Sequence, residues 1–221
     1  MKTVIGRLLP AVVGCLVLAG CAGQQPAAYT GLSSSSYLKP NDQDGSGKMP
    51  FRYRTTVDWS QYHNAVIETV AVYGGPDNQF GKMSDQDRQA LARYTQTALT
   101  KALAKRFALI NDPIPGTVRI KMTLTGAAGS AAVISSVAHL DIGGNLYNGI
   151  QAIRGKEGLM TGWVMYAVEI SDASNGKLLE AYEEKQYPNA FNPLPTFGAL
   201  AAAKTGIDKG SDALVVQMQQ P

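Results

Sequence analysis

Few side chains in this sequence have the type and spacing that chemistry needs. The chain has two histidines, His63 and His139. Neither has a partner at metal-ligand spacing, and neither lies near a glutamate in a zincin pattern. Gly144 and Gly149 have the outer spacing of a phosphate loop, but Ile150 stands where a lysine is required. No G-x-S-x-G nucleophile elbow occurs. Asp42, Asp44, Ser46 and Gly47 match the first half of a calcium loop, yet the twelfth position is Tyr53 rather than a bidentate glutamate. That stretch is better read as a polar linker. Glu180, Glu183 and Glu184 cluster beside Lys185. Successive strand residues face opposite ways, so the cluster predicts a solvated, charged edge that blocks strand pairing, not a catalytic carboxylate pair. Trp59 and Tyr62 could offer rings to a sugar, but an aromatic pair leading into a strand is better explained as core packing. The expectation is no catalytic residue, no cofactor and no metal.

Cys21 is different. Lys2 and Arg7 precede an uncharged run from Leu8 to Gly20, and Cys21 follows it directly. A basic start, a short apolar run and small residues at the end make a secretory signal peptide. The run is too short for the roughly 20 residues a membrane-spanning helix needs. Leu18-Ala19-Gly20-Cys21 resembles the bacterial lipobox, whose thiolate takes a diacylglyceryl group and becomes the new N-terminus. Two or more acyl chains hold a protein stably at a bilayer. Ala22 and Gly23 follow, with no aspartate, a pattern that the lipoprotein resemblance associates with the outer membrane. Cys15 leaves with the signal and Cys21 is consumed, so the folded part has no thiol for a disulfide, a nucleophile or a zinc site. Removing residues 1–20 takes Lys2 and Arg7 with it and lowers the formal net charge from +3 to +1. Near neutrality gives no reason to expect nucleic acid as a partner.

The elements that would carry these residues follow from patterning. Residues 21–50 are rich in Gly, Ser, Pro, Gln and Asp and predict a lipidated tether with a reach on the order of 30 Å. Tyr29, Leu32, Tyr37 and Leu38 leave room for part of it to dock. "AVIETVAVY" (65–73) predicts a buried central strand. Ser84 caps a helix with Asp85 and Asp87 in its first turn and Leu91, Tyr94, Ala98, Leu99, Ala102, Leu103 and Phe107 on one face. "TVRIKMTLT" (117–125) alternates, with Arg119 and Lys121 outward. Residues 126–158 are rich in Gly, Ala and Ser and form a long insert, either functional or mobile. Residues 162–171 and 177–187 predict two antiparallel strands joined at Asn175-Gly176. A closing helix follows, with Gly206 and Gly210 weakening its middle.

Several segments together are similar to a bacterial lipoprotein family catalogued as domain of unknown function 3313. They are "YTGLSSSSYLKP" (Tyr29, Gly31, Leu32, Tyr37, Leu38), "DWSQYHNAVIETVAVY" (Asp58, Trp59, Tyr62, Val66, Ile67, Val70), "SDQDRQALARY", "PGTVRIKMTLTGA" and "DASNGKLLEA". The resemblance implies no activity and no catalytic residue. Only lipidation at Cys21 carries over.

The expected protein is α+β. A small mixed β-sheet (β-α-β, then a hairpin) is covered by two main helices and carries a Gly/Ala-rich insert. Residues 1–20 are the signal peptide, 21–50 the lipidated tether and 51–221 a single α+β domain. The expected role is a non-enzymatic binding or assembly accessory of the cell envelope, held at the membrane by its N-terminal lipid. Its partner would be another envelope protein or peptidoglycan, with residues 126–158 as the contact region. The alternatives are a glycan or small-ligand carrier using Trp59 and Tyr62, and an envelope enzyme whose site does not show in the sequence.

Overall fold

The computed structural model describes residues 24–129, 162–189 and 200–219. In chain order the elements are β1 (Lys39–Pro40), β2 (Phe51–Arg54), a 3-10 turn (Trp59–Gln61), β3 (Asn64–Ile67), β4 (Ala71–Val72), α1 (Asp85–Leu103), β5 (Ala108–Leu109), β6 (Thr117–Ala128), β7 (Trp163–Asp172), β8 (Leu178–Gln186) and α2 (Ala201–Gln217). All eight strands join one sheet in the order β1-β2-β8-β7-β6-β3-β5, with β4 also paired to β6. The expected α+β class holds, and the sheet is larger than expected. β3 and β4 run parallel to β6, with α1 between them in the chain, while β6, β7, β8, β2 and β1 are antiparallel neighbours.

Two faces of the sheet are covered differently. On one, Val118, Ile120, Met122 and Leu124 of β6 and Val164, Val168 and Ile170 of β7 are buried in the main core with residues of both helices. Alternation puts these positions on one side of the pleat. Residues Leu91, Leu99 and Leu103 bring α1 to the same core. The Ser84 hydroxyl caps α1, accepting the Asp87 N–H at 3.1 Å, with Asp85 and Asp87 in the first turn as expected.

In α2 the two glycines also serve close packing. A Cβ on Gly206 would lie 2.8 Å from Val164 Cγ1, and one on Gly210 would lie 1.8 Å from the Tyr166 hydroxyl. Their missing side chains let α2 approach β7 and β8. The hairpin turn is as expected: Gly176 has φ +74°, and Asp172 and Lys177 close the loop with an N–H to carbonyl bond of 2.9 Å.

Three expectations need correction. The strand expected over 65–73 is split: the Glu68 N–H still reaches the Ile120 carbonyl at 2.9 Å, but the Val70 N–H goes to Gln96 Oε1 at 2.8 Å before pairing resumes at Ala71. It lies near one side of the sheet, beside the two-residue β5, not at the centre. The charged edge expected at Glu180, Glu183, Glu184 and Lys185 is an interior strand: β8 lies between β2 and β7, and all four residues are buried. β2 supplies the missing neighbour, out of a stretch too short and too polar to announce itself. The freely reaching tether is not seen from Gln24 onward either. Tyr29, Leu32 and Ser34 are buried against the second face of the sheet, and β1 pairs with β2. The insert expected at 126–158 starts with the end of β6; its remainder lies outside the described residues.

Candidate functional site: a strapped polar cleft

The second face is built from the outward residues of the same strands: Lys121 and Thr123 of β6, Met165, Ala167 and Glu169 of β7, Glu183 and Lys185 of β8. Residues 24–38 cross it as a strap, and side chains from the body of the domain satisfy the strap's backbone. Lys185 Nζ donates to the Gln24 carbonyl at 2.7 Å. The Gln79 amide brackets the next turn of chain, donating to the Gln25 carbonyl at 2.8 Å and accepting the Ala27 N–H at 3.0 Å. The Tyr29 hydroxyl also donates to Gln79 Oε1. Glu183 Oε1 accepts the Tyr29 N–H at 3.3 Å, Asp77 Oδ2 the Thr30 N–H at 3.2 Å and the Tyr73 hydroxyl the Gly31 N–H at 3.1 Å. A buried backbone group left unpaired costs as much as a lost hydrogen bond, so each of these side chains holds the strap in register. Tyr29 packs edge-on against Tyr73 with ring centroids 5.3 Å apart.

Where the strap turns at Ser33–Tyr37, it leaves an open cleft of about 520 Å³ lined by Tyr37, Tyr53, Glu68, Arg119, Lys121 and Glu169. Lys121 and Glu169 are direct cross-strand partners in the β6–β7 register, and Lys121 Nζ lies 2.9 Å from Glu169 Oε2. Ser33 joins them: its hydroxyl donates to Glu169 Oε1 at 2.8 Å and accepts from Lys121 Nζ at 2.7 Å. Arg119 and Glu68 form a second, longer pair at 3.6 Å. Burial pushes the Glu169 carboxyl up, but hydrogen bonds from Lys121 and Ser33 outweigh it and hold the group below its ordinary value. At the rim, Tyr37 and Tyr53 stand with ring centroids 5.2 Å apart, Tyr37 largely exposed.

Ser33, Lys121 and Glu169 thus form one closed network, in which the Ser33 hydroxyl is engaged by both charged side chains. The carboxyls that burial raises lie elsewhere. Glu183, beneath the strap, is pushed up to about 8, by burial first, and its Oε2 has no hydrogen-bond partner among the described residues. Glu184 is also raised by burial, and it accepts from the Tyr166 hydroxyl at 2.8 Å among the core residues. Being neighbours on one strand, Glu183 and Glu184 point to opposite faces and do not converge.

The family model described as protein of unknown function (DUF3313) matches residues 28–214, from the strap to the last turns of α2. The chain belongs to this family. No curated protein gives a significant sequence match. Among solved structures, the PelC L103M dodecamer from Paraburkholderia phytofirmans aligns with a TM-score of 0.39 at 9% identity, over 74% of this DUF3313 chain and 93% of that one. Protein XCC0632 from Xanthomonas campestris, of family DUF330, aligns at 0.35 with 8% identity, over 69% and 81%. A candidate lipoprotein from Caulobacter crescentus aligns at 0.27 with 12% identity, over 68% and 85%. Scores this low do not establish a shared fold, and nothing about these proteins transfers to the DUF3313 chain.

Of the residues considered for chemistry in the sequence, Tyr53 lines the cleft, together with Tyr37, Arg119 and Lys121, which the sequence marked as docking or outward residues; the others lie elsewhere. Trp59 is buried, and its ring is tilted 54° to that of Tyr62 at 6.1 Å, so the pair is core packing and offers no flat platform for a sugar. The Tyr62 hydroxyl donates to Asp172 Oδ2 at 2.9 Å. Asp44 uses its carboxylate on its own loop, accepting from the Ser46 N–H at 3.0 Å and from the Met49 N–H. His63 is exposed, and its backbone pairs with Gly116 and Ala108. Of the acidic cluster, Glu183 and Lys185 anchor the strap, and Glu180 pairs with Arg52 of β2. Cys21, His139, Gly144, Gly149 and Ile150 lie outside the described residues. Sequence reasoning missed Lys121 with Glu169 as a site. The alternation shows Lys121 outward, but only the register sets Glu169 opposite it. "SSSS" (33–36) carries the composition of a linker, and nothing local reveals that Ser33 closes an ionic network.

Proposed function

We propose that this DUF3313 protein is a lipid-anchored, non-enzymatic binding module on the periplasmic face of the bacterial outer membrane, which presents the strapped cleft to another envelope component. The observation that carries the reading is the Ser33–Lys121–Glu169 network: paired charges and engaged hydroxyls make a preorganised polar surface, with no acid and base poised apart. The anchor is Cys21, three residues before the first strap residue. No helix among the described residues is long and apolar enough to cross a membrane, which fits attachment through lipid. The partner is an envelope protein or peptidoglycan, whose hydroxyl, amide and carboxylate groups match the donors Arg119, Lys121 and Lys177 and the two rim tyrosines.

The experiment is photo-crosslinking in living cells with a benzophenone side chain at Tyr37, and at the exposed Val216 of α2 as control. A discrete adduct at position 37 and none at 216 is expected. Equal labelling at both, or none at 37, would remove the cleft as the contact. Radioactive palmitate should label the native protein and not Cys21→Ser; an unlabelled native protein would end the anchoring half of the reading.

A further inference from the structure

The strap has a consequence for how the molecule sits on its membrane. Gln24 is fixed by Lys185 at one end of the sheet. Only Ala22 and Gly23 separate it from Cys21, so the sulfur lies within about 10 Å of that end even when the chain is fully extended. The same end carries the buried rings of Trp163 and Tyr187, with the buried Lys185 Nζ 5.0 Å from the centre of the Trp163 ring. Three further lysines surround it. Lys48 lies 4.9 Å from the Tyr187 ring centre, Lys209 Nζ donates to the Tyr187 carbonyl at 3.0 Å, and the exposed Lys82 lines a cleft with Gln24 and Trp163. Of the acids nearby, Glu183 and Glu184 are buried, while Asp44 and Asp87 carry their charge in hydrogen bonds from Ser46, Met49 and Ser84, so the three lysines outnumber the carboxylates outside the core by one. The far end of the sheet, at the Asp172–Lys177 turn, instead carries Asp58 and Asp172 beside Tyr62.

We infer that the mature protein stands end-on upon the bilayer that holds its anchor, with the Trp163–Tyr187 end and Lys48, Lys82 and Lys209 against the anionic headgroup layer. The inference rests on the lipid-anchor reading above. Lysines near an anionic leaflet are attracted within a Debye length of its surface, and long lysine stems suit the headgroup zone. The short linkage removes the freedom to swing that a flexible tether would give. The Tyr37–Tyr53 cleft then opens sideways, and the Asn175–Gly176 turn points into the periplasm.

The test uses the full lipidated protein in vesicles of phosphatidylethanolamine and phosphatidylglycerol. The acylated Cys21 leaves no other thiol, so Lys82→Cys and Asn175→Cys, both at exposed positions, each accept one spin label. Relaxation by a nickel-chelating lipid should be about tenfold stronger at 82 than at 175, because the ends lie on the order of 30 Å apart along β7. Equal relaxation at both positions overturns the orientation. The mass of the N-terminal peptide separates the two claims: an acylated chain with equal relaxation defeats the end-on placement alone, and an unacylated chain defeats the anchor and the placement together.

Discussion

The helix-covered face and the strap-covered face share the same three long strands and are held by different physics. On the first, β-branched and aliphatic side chains pack against α1 and α2, and the attraction is non-directional and proportional to area. On the second, lysine, glutamate, glutamine and tyrosine side chains each satisfy a particular strap N–H, carbonyl or hydroxyl. Hydrogen bonds contribute about 1 kcal/mol each net, but leaving a buried partner unmatched costs more. The helix face therefore supplies most of the stability, and the strap face supplies position. A strap held this way should open locally, while the rest of the sheet stays folded.

Substitutions on the two faces should have unequal effects. The largest effect is expected on the helix face. Leu124→Ala removes a fully buried side chain from β6 and should cost about 3–4 kcal/mol in urea denaturation. Next comes Gly210→Ala in α2. Its methyl collides with the Tyr166 hydroxyl, which must leave its bond to Glu184, and about 2 kcal/mol should be lost despite alanine's better helix propensity. On the strap face, Lys121→Met leaves the Glu169 carboxylate half-paired and should cost about 1–2 kcal/mol. The amide protons of Ala27, Tyr29, Thr30 and Gly31 should then exchange faster while those of β6 keep their protection. If Lys121→Met instead weakened β6 as much as Leu124→Ala does, the division between the faces would be wrong.

The strap face should also carry a pH dependence. Burial pushes the Glu183 carboxyl up from 4.5 to about 8 in the folded protein. The folded state therefore binds this proton more tightly, and the group's contribution falls as pH rises from 4.5 to 8, then levels. Glu183→Gln should therefore flatten the stability profile in that window and leave acid stability unchanged. A wild-type profile with no fall between pH 5 and pH 8 would show that the carboxyl is not buried as described.

Much of the fold was legible where a pattern is local. The Ser84 cap and the apolar face of α1, the alternation in β6 and the β7–β8 turn at Gly176 all came from residues within one or two turns of each other. The strap and β8 were misjudged for one shared reason. A run of charged residues looks solvated in sequence, and a run of serines looks like a linker, because composition cannot show what will cover them. Tyr29 and Glu183 bond across 154 residues. Neither carries a local sign of the other. Lys121 was visible as an outward residue, while its match with Glu169 required the register of two strands separated by the insert.

The sequence alone sufficed for the identity of the long elements and for the apolar side of β6, because helix and strand periodicities are set by backbone geometry within a few residues. It also singled out Cys21 as the candidate for lipidation. The tertiary structure decided what the polar sides meet. β2 closes over β8, the strap crosses the second face, Gly206 and Gly210 become contact points for α2, and Ser33 joins Lys121 and Glu169. Each of these depends on segments distant in the chain meeting at hydrogen-bond or van der Waals distance, and only the assembled sheet fixes those distances.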